Sequence, residues 1–424
     1  MDGPPKKSVQ LKHLRATDAA AVAKLATQAT LCIAGVAEGV HQSVLQTLGA
    51  AAAKTSGKGS KGPGQTGGIT GLVYSAVRGV THLVGKGLDT ALTQLKPLFE
   101  ATDHSAPESP QREAVLAALN GVLGDHLAAT QNPLATTMQL RHSAESPKTG
   151  KILLLIHGLC MNDLQWRTST KLAPENAAAG ATQKLDHGAA LAAALGYSPV
   201  YLRYNTGLHV SQNGQTLSRQ LAQLLQDWPV PVTELSVVAH SMGGLVIRSA
   251  VHYATDDKSA WLASLKNIAF LGTPHHGAPL ERAGNWIDVL LGSTPYSRPF
   301  AILAQLRSAG ITDLRYGHVL DTDWQGHDRF RQRPDSRLLV PLPAGVASCT
   351  IAATLAGQRS SVSDRLLGDG LVPLESALGQ HVEPHRSLAF DNKAQRILYK
   401  TSHLALLKSP LVTQQLIAWF SAKL

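Results

Sequence analysis

Apolar residues from Ile69 to Leu98 recur at Leu72, Val73, Val77, Val80, Leu83, Val84, Leu88, Leu92 and Leu95, with Arg78, Lys86 and Asp89 off that line. The spacing predicts a helix with one continuous apolar stripe. Thr17 to Leu48 reads as another helical stretch and Glu113 to Leu127 as a third, stopped by Asn132-Pro133. Residues 56–68, SGKGSKGPGQTGG, are Gly-rich and basic, which predicts a linker or an exposed loop. After residue 150 the pattern changes to strands alternating with helices. Lys151 to His157 (KILLLIH) is a continuous apolar run of the kind buried on both faces of a parallel sheet. Further strands are expected at Ser198–Tyr204, Leu235–Ala239, Ile268–Leu271, Cys349–Ala353 and Arg396–Lys400. Helices are expected at Ala189–Leu195, Leu217–Trp228, Met242–His252 and Val412–Phe420. This alternation predicts an α/β fold with a doubly wound, mostly parallel sheet and right-handed crossovers. The expected organisation is a helical N-terminal region, 1–149, followed by one domain over 150–424.

Composition narrows the classes that fit. Only 16% of the 424 residues are charged and 44% are hydrophobic, which excludes a disordered chain and argues against a nucleic-acid partner. The formal charge of +10 is spread thinly: residues 1–150 hold 14 Lys/Arg against 10 Asp/Glu, and the rest hold 25 against 19. That excess suits solubility and a weak attraction to anionic surfaces. Three cysteines are too few for a disulfide framework, and none has metal-binding spacing, so a reduced, cytoplasmic compartment is expected. The basic N-terminus lacks a following apolar run, so no secretory leader is expected. Leu338 to Gln358 is uncharged, but Pro341, Pro343 and Gly345 break it, which predicts a buried strand entering a loop and not a membrane span. The N-terminal stripe reads first as helices packed together, and secondly as a peripheral membrane contact.

The segment SVVAHSMGGLVIRSA places Ser241 between a buried strand and a helix, with Gly243-Gly244 at the turn. Such a strand–serine–helix turn needs small neighbours and leaves the hydroxyl exposed above the sheet, as a nucleophile requires. Ala239 stands where glycine is usual; alanine keeps most of the steric logic. A serine that merely caps the helix is the bland alternative.

A serine nucleophile needs a base and an orienting acid, which follow an elbow of this kind in the chain order Ser, Asp/Glu, His. His403, just past the last predicted strand and before the C-terminal helix, has the placement of the base. His381 and His385 precede that strand. The acid is expected after the strand Cys349–Ala353, where Asp369 lies between Gly368 and Gly370, residues that permit a sharp turn. Asp364 and Glu375 are reserves. Donors for a developing oxyanion are expected from the backbone N–H of Met242, at a helix start, and of Leu159, after His157-Gly158.

These segments resemble the α/β-hydrolase superfamily, and within it the bacterial triacylglycerol lipases and the GPI inositol-deacylase-like lipases. The likeness rests on HGLCMNDLQW at 157, RYNTGLHVSQNG at 203, AHSMGG at 239, LGTPHHGAPLE at 271, GDGLVPLESA at 368 and SHLALL at 402, and it covers about residues 150–424. It implies hydrolysis of carboxylic, lipid-like esters through an acyl-enzyme, with Ser241, Asp369 and His403 as triad. It also implies a substrate pocket involving His157, Thr273 and His275, within the matched Thr273-Pro274-His275-x-Gly277, and a cap inserted over the site at about 281–337. Trp286, Ile287, Val289, Leu290 and Leu291 would form the underside of that cap. Adjacent histidines diverge, so His275 and His276 are not expected to hold a metal, and no cofactor is expected. Two rival readings are an acyltransferase using the same triad and a membrane-associated interaction protein with an incidental hydrolase fold.

Overall fold

The structure is a computed structural model that describes residues 110–143, 147–171, 182–278, 308–327, 335–358 and 368–422. The two earlier predicted helices, the linker at 56–68, Asp364 and Trp286 to Leu291 of the expected cap lie outside these residues.

Seven strands form one sheet: β1 (Gln139–Arg141), β2 (Lys151–Ile156), β5 (Ser198–Arg203), β6 (Glu234–His240), β7 (Leu265–Leu271), β8 (Ala347–Ala353) and β9 (Gln395–Leu398). Their spatial order is β1-β5-β2-β6-β7-β8-β9. Only β1 runs antiparallel to its neighbour; β5, β2, β6, β7, β8 and β9 are parallel throughout. Two further strands, β3 (Arg167–Lys171) and β4 (Thr182–Asp186), pair antiparallel as a separate ribbon.

Alternation along β2 explains why the sheet is covered twice. Ile152, Leu154 and Ile156 enter one apolar cluster with residues of α1 (Pro110–Ala129), α3 (Val210–Asp227) and α4 (Met242–Asp256). Leu153 and Leu155 enter the other, with Leu191 of α2 (His187–Leu195) and Val412 and Leu416 of α7 (Pro410–Ser421). A strand buried on both faces therefore reads as an unbroken apolar run. The protein is an α/β fold with a mostly parallel sheet sandwiched between helices, as expected.

The differences from expectation have physical causes. Helix α3 starts at Val210, seven residues before the apolar period begins, because its first turns bury Ser211, Asn213 and Gly214. A Cβ on Gly214 would fall 2.3 Å from Ser249 Oγ of α4, so small residues make this contact and leave no apolar stripe to read. Strand β1 is only three residues, mostly exposed or half-buried. The expected boundary at 150 does not separate two bodies among the described residues. Val115, Leu119, Val122 and Leu127 of α1 belong to the main cluster, and β1 pairs with β5. Arg203 at the end of β5 joins Glu113 of α1 (2.6 Å) to Asp163, all three buried. A second unexpected element, α5 (Ala309–Tyr316), lies in the span expected as a cap yet is packed into the body. Ser308 Oγ donates to the Gly121 carbonyl, and Asp313 accepts from the Val210 N–H.

Candidate active site

The chain leaves β2 toward β5 on one side and returns with β6 on the other, so β2 and β6 are neighbours whose outgoing connections diverge. Sites in open α/β sheets form at such switch points, beyond the carboxyl ends of the strands. Ser241 follows β6 at this place. Its backbone has φ 55° and ψ −124°, a conformation that costs a non-glycine residue about 1–3 kcal/mol and that only surrounding structure can hold. The Ser241 N–H donates to the Leu271 carbonyl at 2.8 Å, and its own carbonyl accepts from the Gly244 N–H at 3.0 Å. Space is tight on every side. A Cβ on Gly243 would lie 2.7 Å from the Ile156 carbonyl, and one on Gly158 would lie 2.9 Å from the Ser241 Cβ. Ala239, at the position where glycine is usual, is buried in β6 and pairs with Phe270, so its methyl group is accommodated by the sheet.

The structure brings His403 and Asp369 together. His403 Nδ1 and Asp369 Oδ2 are 2.6 Å apart, and the two residues are 1% and 2% exposed. The other carboxylate oxygen of Asp369 accepts from the N–H groups of Leu371 and Val372, and its carbonyl accepts from the His403 N–H. The turn that permits this places Gly368 and Gly370 at φ 45° and 93°, where side chains are strained. Glu375 sits on the short helix α6 (Leu374–Ala377) and takes no part in this contact.

With Nδ1 facing a carboxylate, the imidazole places a proton there and leaves Nε2 as the free ring nitrogen. That Nε2 is buried and has no hydrogen-bond partner. The ring lies 4.7 Å from that of His240, the residue before the serine, whose Nε2 contacts the His403 carbonyl at 3.3 Å. Gly272, next to the Leu271 that holds the Ser241 N–H, also faces this ring: a Cβ there would be 3.2 Å from His403 Nδ1. Burial drives the pKa of His240 well below its ordinary value, and the nearby His403 adds to the effect, so His240 is a neutral spacer.

The N–H of Met242 opens α4, where unpaired donors and the helix dipole favour negative charge. Leu159 lies on the loop after β2, with Cys160 at φ 58° and its N–H donating to Thr206 Oγ1. What shapes this loop was not legible in the motif. A Cβ on Gly121 of α1 would lie 2.2 Å from Cys160 Sγ, and Asn162 Nδ2 donates to the Glu113 carbonyl. Helix α1, placed in a separate region by periodicity, therefore supports the loop that carries Leu159. Its signal was present only as a buried glutamate that needs a distant arginine.

The residues expected in the substrate pocket separate. His157 stacks on Tyr204 with ring centroids 4.5 Å apart, and its pKa is driven down to about 4 by burial. The buried Thr273 Oγ1 has no partner and packs against Gly244 behind the serine. His275 is carried away from His403, between the rings of Phe270 and Phe390 and beside Arg248.

A family described as a domain of unknown function (DUF7379) matches residues 122–314. No curated protein matches the chain. Similar solved structures include the mature form of a Bacillus licheniformis lipase, 18% identical, covering 66% of this chain and 98% of that one with a TM-score of 0.40. Aspergillus fumigatus lipase B is 12% identical over 66% of this chain and 55% of its own, with a TM-score of 0.39. A putative hydrolase of Bacillus subtilis is 12% identical over 74% and 100%, with a TM-score of 0.35.

Proposed function

We propose that the chain is a serine hydrolase that cleaves carboxylic esters with an apolar acyl part. One observation carries the reading: a buried histidine has one nitrogen 2.6 Å from a carboxylate and the other without a partner, and its ring lies 4.7 Å from that of His240, the residue before a serine held in a strained strand-to-helix turn. In the first half-reaction, His403 Nε2 takes the proton from Ser241 Oγ as the oxygen attacks the ester carbonyl. Asp369 holds the Nδ1 proton and stabilises the imidazolium that forms. The N–H groups of Met242 and Leu159 receive the developing oxyanion. Breakdown of the tetrahedral intermediate releases the alcohol, which carries off the proton from His403 Nε2. In the second half-reaction the same nitrogen draws a proton from water, the hydroxide attacks the acyl-enzyme, and the acid leaves as Ser241 recovers its proton. The buried Met161, which borders Gly158 together with Ser241, and the adjoining Met242 favour an apolar acyl group. No helix among the described residues is long and apolar enough to cross a membrane.

The test is Ser241→Ala on the full chain. Hydrolysis of short p-nitrophenyl esters and labelling by a fluorophosphonate should both disappear while the circular dichroism spectrum is kept; undiminished turnover would overturn the reading. A chain-length series measured below and above substrate solubility then distinguishes an esterase from a lipase.

A further inference from the structure

Helix α4 carries a second unusual group two turns beyond Ser241. Arg248 is 5% exposed, yet among the described residues no carboxylate is hydrogen-bonded to it. Its guanidinium donates to two neutral acceptors, the carbonyl oxygens of Val340 at 2.6 Å and His275 at 3.4 Å, and its Nε is buried without a partner. The neighbouring His275 is 1% exposed, and neither of its ring nitrogens has a partner. A buried cation normally has an anion or a full set of acceptors, because leaving one unpaired costs several kcal/mol.

These groups line a cavity of about 20 Å³, together with His276, Arg337 and Arg386. The cavity opens to the surface beside the exposed Leu338 and Leu339 and has room for more than a single water. The charges around it are unevenly placed. Asp335 accepts from Arg337 and lies 2.7 Å from Arg386 Nη1, and this pairing holds its carboxyl well below the usual carboxylate range. One carboxylate thus serves two of the arginines, with Glu383 at 3.5 Å from Arg386 as a half-exposed addition. Arg248 feels the charge of Asp323 without a hydrogen bond to it. Burial, with repulsion from Arg337, pulls its pKa to about 9, which still leaves it charged at neutral pH.

We propose that this cavity is a binding site for one small anion such as chloride, held by Arg248 Nε and the N–H of a His275 nitrogen. Two sets of unpartnered buried donors, one of them on a cation, call for an acceptor that carries negative charge. The site joins α4, the loop after β7, the segment 335–340 and Arg386, so an occupied site would tie four separate stretches together. It stands apart from the reaction at Ser241 and does not depend on it.

The full-length protein is melted in sodium chloride and in sodium gluconate at matched ionic strength, with Arg248→Met as the paired variant. Methionine keeps the apolar bulk and removes the charge. The wild type is expected to melt about 3 °C higher in chloride, saturably, because an anion that binds only the native state adds stability by mass action. In Arg248→Met that difference should vanish; an equal difference in both proteins, or none in either, would overturn the proposal. Should the variant fail to fold, wild-type crystals soaked in bromide decide the matter. An anomalous peak between Arg248 Nε and His275 supports the site, whereas a water there with bromide only on the surface refutes it.

Discussion

The loop that leaves β7 serves two places of opposite character. At Gly272 it packs on His403, whose imidazole has a carboxylate on one nitrogen and nothing on the other. Three residues later His275 stands beside Arg248, where a guanidinium and an imidazole are both buried and, among the described residues, neither is hydrogen-bonded to a carboxylate. On the proposed mechanism the first arrangement fixes a tautomer and leaves a lone pair for a proton in transit. The second leaves donors with nothing to receive them. An unpartnered buried nitrogen therefore has no single meaning; the group on its far side decides whether it moves protons or awaits an ion.

Removing that far-side group gives the largest expected effect. Asp369→Asn keeps the shape but reverses the hydrogen bond, so the histidine would present Nε2–H to Ser241. On the proposed mechanism kcat should fall about 10⁴-fold with KM little changed, measured on a soluble ester. A loss below tenfold would mean that His403 does not depend on Asp369 and would erase the contrast between the two places.

Acid should weaken both places together. Burial holds His157 at about 4, against 6.5 in an open chain, and lowers His187, His240 and His275 as well. Between these values the unfolded chain binds protons that the native state refuses, so stability is lost as pH falls from 6.5 toward 4 and is unaffected above 6.5. His157 alone accounts for up to about 3 kcal/mol across that window. Urea unfolding at pH 7.5, 5.5 and 4.5 measures it, and a flat profile would show that these imidazoles are hydrated.

A smaller effect should separate the serine from its surroundings. In Gly158→Ala the added Cβ would meet the Ser241 Cβ at 2.9 Å and His240 Nδ1 at 3.2 Å. Displacing the nucleophile or the loop donor should lower kcat about 100-fold, in the range seen when one oxyanion donor is lost. The chloride dependence of melting should remain. Loss of both in this variant would mean that the two places form one unit.

The residues proposed to carry the reaction stand out in the sequence because their chemistry depends on local chain features. A strand running into Ser241, glycines around Asp369 and a histidine after the last strand are each contained in about ten residues. The parallel sheet was legible for the same reason, since strands buried on both faces are unbroken apolar runs. What escaped depends on distant partners. Glu113 and Arg203 are 90 positions apart and meet inside the protein at 2.6 Å, so α1 could not be assigned to the body from its own period. The start of α3 was hidden because small polar residues, not apolar ones, make its contact with α4. Arg248 looked like any helical arginine, for nothing in its neighbourhood along the chain says that no carboxylate will reach it.

Thr273 lies between the two places and provides the finest distinction. Its hydroxyl is buried, lacks a partner and packs against Gly244, where a Cβ would fall 2.0 Å from the oxygen. An unsatisfied buried hydroxyl costs about 1–3 kcal/mol, whereas a methyl group of the same shape has no such penalty. Thr273→Val should therefore raise stability by about 1 kcal/mol in urea unfolding. The kinetics then assign the residue. If the hydroxyl meets substrate, KM rises severalfold for esters while the chloride effect persists. An unchanged KM with the added stability would make Thr273 packing behind the elbow, and the loop's chemistry would be confined to its two ends. A fall in stability would mean that the oxygen has an acceptor, which contradicts its isolation in the folded protein.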